Sequence, residues 1–186
     1  MKKIVTLLQK TASGRTVLGL FILTMTVYLV MLFYTIPKVE NFAPGIALFD
    51  LSPTGYTYQH AFSLLRSLGQ DGRNVYLHQQ LPVDFIYPGL FAVSYSLLLT
   101  WLFSRSFETN SKMFYLAIVP VLGGLFDYLE NISIACMIKS FPDISKDLVA
   151  IASTFTVFKS VFATAFFILL LIGIVSLLKR KAMVNY

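Results

Sequence analysis

The stretch Gly123-Gly-Leu-Phe-Asp-Tyr-Leu-Glu-Asn-Ile-Ser-Ile134 sits in the middle of a run that otherwise reads as a membrane-spanning helix. Asp127, Glu130 and Asn131 are at i, i+3 and i+4, one face of a helix. Gly123 and Gly124 extend that face one turn earlier, where a neighbouring backbone has room to approach. Ionisable groups are expensive inside a bilayer, so such a face points into the protein and marks a candidate site. The pattern names no reaction by itself.

Outward from this stretch, 56% of the 186 residues are hydrophobic and 13% are charged, about half the charged share of an average soluble domain. With a mean hydropathy of +0.72, the chain reads as an integral membrane protein. Four windows reach the roughly 20 apolar residues a span requires: about 17–36, 85–103, 113–137 and 149–178. The expected fold is all-α, a polytopic four-transmembrane-helix bundle forming one membrane domain over residues 1–186. A short helical extracytoplasmic segment, 37–83, joins the first two spans. The first apolar run is too long for a signal-peptide core and no A-x-A-like cleavage site comes after it, so it is expected to be retained as a helix.

Charge sets the expected orientation. Lys2, Lys3, Lys10, Arg15, Arg105, Lys112, Lys179, Arg180 and Lys181 flank the spans on the side shared by both termini and the second loop. The positive-inside rule makes that side cytoplasmic, with the cell (inner) membrane as the setting. On the opposite side Lys38, Arg66, Arg73, Lys139 and Lys146 are offset by Glu40, Asp50, Asp71, Asp84, Asp143 and Asp147. The net charge of +6 is therefore a topology signal and a contact for anionic lipids, and does not indicate nucleic acid. Cys136 is the only cysteine, which excludes a disulfide or CxxC relay within the chain.

Within the connecting segment, Pro37 is expected to mark the exit from the first span, and Leu51-Ser-Pro-Thr-Gly55 a turn in which Ser52 or Thr54 caps the next helix. The apolar spacing of Ala61, Leu64, Leu65 and Leu68 predicts an amphipathic helix over 56–68, closed by 69–72. A second short segment over 74–80 is expected to stop at the Pro82 boundary. These pieces are expected to lie on the membrane surface or to cap the bundle. Residues 3–10 read as a short interfacial helix or a frayed tail, and Pro120 as a kink in the third span.

Depth decides which polar residues can meet. Asp127 and Glu130 lie about 21 and 26 Å along the third span, and Lys159 about 15 Å into the fourth from the other side, at 1.5 Å per residue. Asp84 starts the second span and is expected near water, where its charge is cheap to keep. Asp84, Asp127, Glu130, Asn131 and Lys159 therefore converge on one level in the outer half, with Tyr87 one turn below Asp84. Arg73, on the same side, is placed to reach an anionic head group or to cap the loop. One lysine cannot neutralise two carboxylates, and a carboxylic acid held neutral is able to donate a proton. Glu130 and Asp127 are thus candidate acid-base residues, with Asn131 orienting one of them.

The readings are a ligand site for a lipid-like or amphiphilic molecule or a partner helix, an intramembrane acid-base enzyme acting on a lipid-like substrate, and a structural or assembly subunit. His60 and His78 lack ligand spacing, so no metal site is expected, and no cofactor motif is present. Asn131-Ile-Ser133 matches a glycosylation sequon at a depth that bars the enzyme.

The runs LGQDGRNVY (68–76), LPVDFIYP (81–88) and GLFDYLENISI (124–134) resemble recurring landmarks of an uncharacterised bacterial family of four-helix integral membrane proteins. The resemblance spans roughly residues 50 to 165. It implies an inner-membrane setting and brings no activity or ligand.

Overall fold

The computed structural model describes residues 2–184, apart from the side chains of Lys2, Ile4, Lys181, Met183 and Val184. Among the described residues the chain is all-helical, without a strand. We number the helices α1 (Lys2–Thr11), α2 (Gly14–Glu40), α3 (Tyr58–Ser67), α4 (Gly69–Ser106), α5 (Lys112–Ser140) and α6 (Lys146–Val184). Four of them, α2, α4, α5 and α6 up to Arg180, are long and apolar enough to cross a membrane. The chain has the character of a multi-pass membrane protein.

Two helices run through positions where the sequence predicted breaks. α2 passes Pro37 and continues to Glu40, and α4 passes Pro82 with a turn only at Phe85 and Ile86. A proline ring clashes with the carbonyl four residues earlier and leaves it without a donor. In each case a π-helical turn stands just before the proline, Met31–Thr35 in α2 and Tyr76–Gln80 in α4, and its wider spacing accommodates the ring. The two π turns lie side by side, and Thr35 donates a hydrogen bond to Gln80 Oε1 between them. Pro120 falls in the first α-helical turn of α5, after a 3₁₀ start over Lys112–Ile118, so it stands where the regular helix begins.

The cap is a real element. The turn over 51–55 forms, with Gly55 N–H bonding Ser52 O at 2.8 Å, but the N-cap of α3 is Thr57, whose side chain accepts from His60 N–H. α3 ends on Gly69 alone, in the left-handed region at φ +62°, and α4 begins at that same residue. Leu64, Leu65 and Leu68 then pack with Leu48, Phe49 and Tyr76 over the ends of α5 and α6, against Ile134, Met137, Val149 and Ala152. Gly55, at φ +86°, lies so close to Ser153 and Val157 of α6 that a Cβ would not fit. There Tyr56 N–H bonds Ser153 Oγ at 2.8 Å, fixing the connecting segment onto α6.

At the other end a second apolar cluster joins Tyr95, Leu99 and Phe103 of α4 to Phe114 and Ala117 of α5 and Phe166 of α6. α1 packs beside it through Val5 and Leu8, and Gln9 Nε2 bonds Thr109 O at 3.2 Å. Arg180 near the end of α6 bonds Arg105 O in the last turn of α4 at 3.0 Å, so α1 and the last turns of α6 both meet the region where α4 ends. Half of the most apolar stretch of α4 is buried, against 17% for α2 and 11% for α6. α4 is therefore the hub, while α2 and α6 expose residues such as Phe33, Ile168 and Leu171 outward. Polar side chains inside and apolar ones outside are what a hydrocarbon solvent demands.

Helix contacts without a hydrophobic drive depend on close approach. Gly124 supplies it: a Cβ there would stand 2.6 Å from the Pro88 carbonyl oxygen, so α4 and α5 touch backbone to backbone.

Candidate functional site

The polar residues form a layer between the two apolar clusters. α5 contributes Asp127, Glu130 and Asn131, α6 contributes Thr156 and Lys159, and α4 contributes Asp84. The 3₁₀ turn Phe49–Leu51 adds Asp50.

One half of this layer is ion-paired. Lys159 Nζ lies 2.7 Å from Glu130 Oε2 and 2.9 Å from Asp127 Oδ1. Thr156, one turn before Lys159, donates to Glu130 Oε1 at 2.6 Å. Glu130, at 0% exposure, thus has both oxygens occupied across the α5–α6 interface. Buried charges hold where hydrogen bonds satisfy their remaining lone pairs, as at Glu130; Asp127 Oδ1 has the ion contact with Lys159 and no hydrogen bond.

The other half is open. Asp84 is 1% exposed, so it is buried and not at a watery mouth as its position at the start of a span suggested. The cap covers it: α4 continues upward for four turns beyond Asp84 instead of beginning there. Its Oδ2 makes no hydrogen bond. Asn131 Nδ2 donates to the Asp84 backbone oxygen at 3.1 Å, so the asparagine tethers α4 to α5 and does not orient Glu130 or Asp127. Asp50 Oδ2 accepts from Tyr76 OH at 2.8 Å, while its Oδ1 is buried and makes no hydrogen bond. Burial, and then the Glu130 carboxylate, push the Tyr56 hydroxyl of the connecting segment well above the usual phenol range, keeping it neutral beside this layer.

The open half faces a cavity of about 580 Å³ between α2, α4 and α6. Asp50, Asp84, Asp127 and Lys159 line its polar end. From there an apolar trough runs along α2 through Ile36, Met31, Tyr28 and Phe21, α4 through Tyr87, Phe91 and Tyr95, and α6 through Ala163, Phe166 and Leu170. The wall from Lys159 to Leu170 is about 16 Å long at 1.5 Å per residue. Phe21, Tyr28 and Leu32 on α2 and Phe167 on α6 line the trough and are exposed, and α2 and α6 do not pack closely on one another, so the trough opens between those helices. A volume of this size suits one small amphiphile, since ligand cavities run roughly 300–1,000 Å³.

The structure therefore brings together Asp84, Tyr87, Asp127 and Lys159 at the cavity and sets Glu130 and Asn131 behind its wall. Arg73 does not join them. Its Nη1 bonds Leu65 O at 2.7 Å and its guanidinium lies 4.5 Å over the Phe141 ring, so it serves the α3 cap. His60 bonds Ala47 O at 2.9 Å and His78 is exposed, and among the described residues no His, Cys, Asp and Glu cluster is arranged to hold a metal.

Asp50 and Tyr76 are the members that sequence reasoning missed. The available signal was local: Asp50 stands in Ala47-Leu-Phe-Asp-Leu51, an apolar setting unlike a solvated loop. Comparison of the chain with protein-family models, with curated proteins and with solved structures finds no match.

Proposed function

We propose that the chain is a four-span bundle of the bacterial cell membrane, with both termini cytoplasmic, that binds a lipid-like amphiphile. The ligand's chain occupies the trough between α2 and α6, and its head group sits at the polar layer in the outer half of the membrane. The observation that carries this reading is the continuity of a sideways-opening apolar cavity of about 580 Å³ with buried, unpartnered carboxyl oxygens at one end. A subunit whose charges only specify helix pairing has no use for such a cavity. The basic residues at the terminal end and the resemblance to bacterial four-helix membrane proteins support the orientation and the setting.

Native mass spectrometry of the purified protein tests the reading directly. The parent is expected to retain an amphiphile of lipid mass, and Ala163→Phe, which fills the trough, is expected to lose it while keeping the fold. Equal retention by both proteins, or none by the parent under conditions that preserve the bundle, counts against a ligand in the trough.

A further inference from the structure

Building on that reading of the cavity, we infer that its head-group end takes a protonated amine, held by Asp84 and Asp50. The polar layer carries four carboxyl groups, Asp50, Asp84, Asp127 and Glu130, and a single cationic side chain, Lys159. That cation is already committed, at 2.7 and 2.9 Å, to Glu130 and Asp127. Asp84 and Asp50 have no cation of their own. Asp84 is 1% exposed, lines the cavity and has a buried Oδ2 without a hydrogen bond. Asp50 lines the same wall, with one oxygen on Tyr76 OH and the other without a donor.

A buried carboxyl oxygen without a donor bears the full cost of its lost hydration. A head group with N–H donors and positive charge relieves both that cost and the excess of acid. An alcohol supplies a donor but no charge, and a carboxylate or phosphate adds to the excess. The ring pair beside the acids fits the same chemistry: Tyr28 and Tyr87, with centroids 5.7 Å apart, both line the cavity. Aromatic faces attract a desolvated cation. The ligand class is thus a single-chain or small lipid amine whose hydrocarbon lies along Phe91 and Phe166.

The test uses the full chain in a non-ionic detergent, titrated by native mass spectrometry at neutral pH with dodecylamine, dodecanol and dodecanoate. These share a chain and differ in head-group charge. Dodecylamine is expected to bind at least about tenfold tighter than dodecanol, the scale of one charge-assisted hydrogen bond, with dodecanoate the weakest. Asp84→Asn and Asp50→Asn, which keep shape, should each shrink the amine preference severalfold or more. Equal binding of the three probes overturns the amine assignment and leaves the amphiphile reading standing; binding of none overturns both. A preference for dodecanoate also overturns it and makes Lys159 the head-group contact. An amine preference kept at full strength by both variants refutes the assigned acids. If a variant fails to fold, the order of the three probes on the parent protein still decides.

Discussion

The two halves of the polar layer use the same residue types to opposite ends. On the α5–α6 side, Glu130 has both oxygens filled by Thr156 and Lys159 and no access to the cavity. On the α2–α4 side, Asp84 and Asp50 each keep a buried oxygen without a hydrogen bond, on residues that line empty volume. Both halves hold carboxyl groups between two apolar clusters. The paired half explains itself, because Thr156 and Lys159 partner both Glu130 oxygens and the lysine faces Asp127 as well. The open half does not, and an unexplained cost at the wall of a cavity is the stronger pointer to a ligand. Lys159 belongs to both: 22% of its side chain is exposed although it is fully engaged by Asp127 and Glu130.

The largest effect should come from breaking the paired half. Lys159→Met leaves two buried carboxyl groups without their cation, an uncompensated arrangement that costs about 3–5 kcal/mol. Thermal melting in detergent should fall steeply, and Lys159→Met combined with Glu130→Gln should recover part of the loss. Strictly additive losses would mean that the pair is not energetically coupled.

Next in size is the contact that holds the two halves at one level. Gly124→Ala drives a Cβ against the Pro88 carbonyl and must part α4 from α5. A loss of about 1–3 kcal/mol is expected. An unchanged melting temperature would show that the helices do not approach as closely as the backbone geometry requires.

The sharpest contrast pairs one loss of similar size with one that is small. Glu130→Gln keeps the bond with Thr156 but removes the charge opposite Lys159, so it should lower stability by roughly 1–3 kcal/mol and leave lipid retention largely intact. Asp84→Asn should do the reverse, costing little stability while reducing retention, because the carboxyl side chain it replaces has an oxygen with no partner to lose. Melting curves and native mass spectra on the same two proteins measure both effects. Parallel losses in both variants would erase the distinction between the halves.

The smallest perturbation tests which side of the membrane the layer approaches. Gln70 is exposed at the start of α4 in the cap, so Gln70→Cys should shift stability by less than about 0.5 kcal/mol. Cys136 is also exposed on α5, so the labelling is done in a Cys136→Ser background. An impermeant maleimide should label the new cysteine in intact cells. Labelling only after the cells are opened would put the cap, and the polar end of the cavity, on the cytoplasmic side.

Helical periodicity and span length are local properties, and they carried the reading of the chain a long way. The apolar windows required four long helices in an all-helical chain. The spacing of Asp127, Glu130 and Asn131 put them on one face, and counting residues from each end brought Lys159 to their level, where the ion pairs form. What the spacing does not contain is the identity of the neighbour each face meets. Asp84 looked solvated because Pro82 suggested a boundary, whereas a π turn lets α4 run on into the cap and bury it. Asn131 shares a face with Glu130, yet its side chain is claimed by the Asp84 carbonyl on another helix. Arg73 was close in sequence to the site but was drawn to the end of α3 and the Phe141 ring. Asp50 lies in a connection with no period to read, and only the folding of that connection onto α4 and α6 delivers it to the cavity wall. The cavity itself is a gap between α2 and α6, set by both packing against α4 without closing on each other along the trough. Sequence alone determines the faces and depths of helices because one residue advances a helix by a constant rise and rotation; the division of the acids into a paired half and an open half depends on packing between helices, which tertiary structure alone decides.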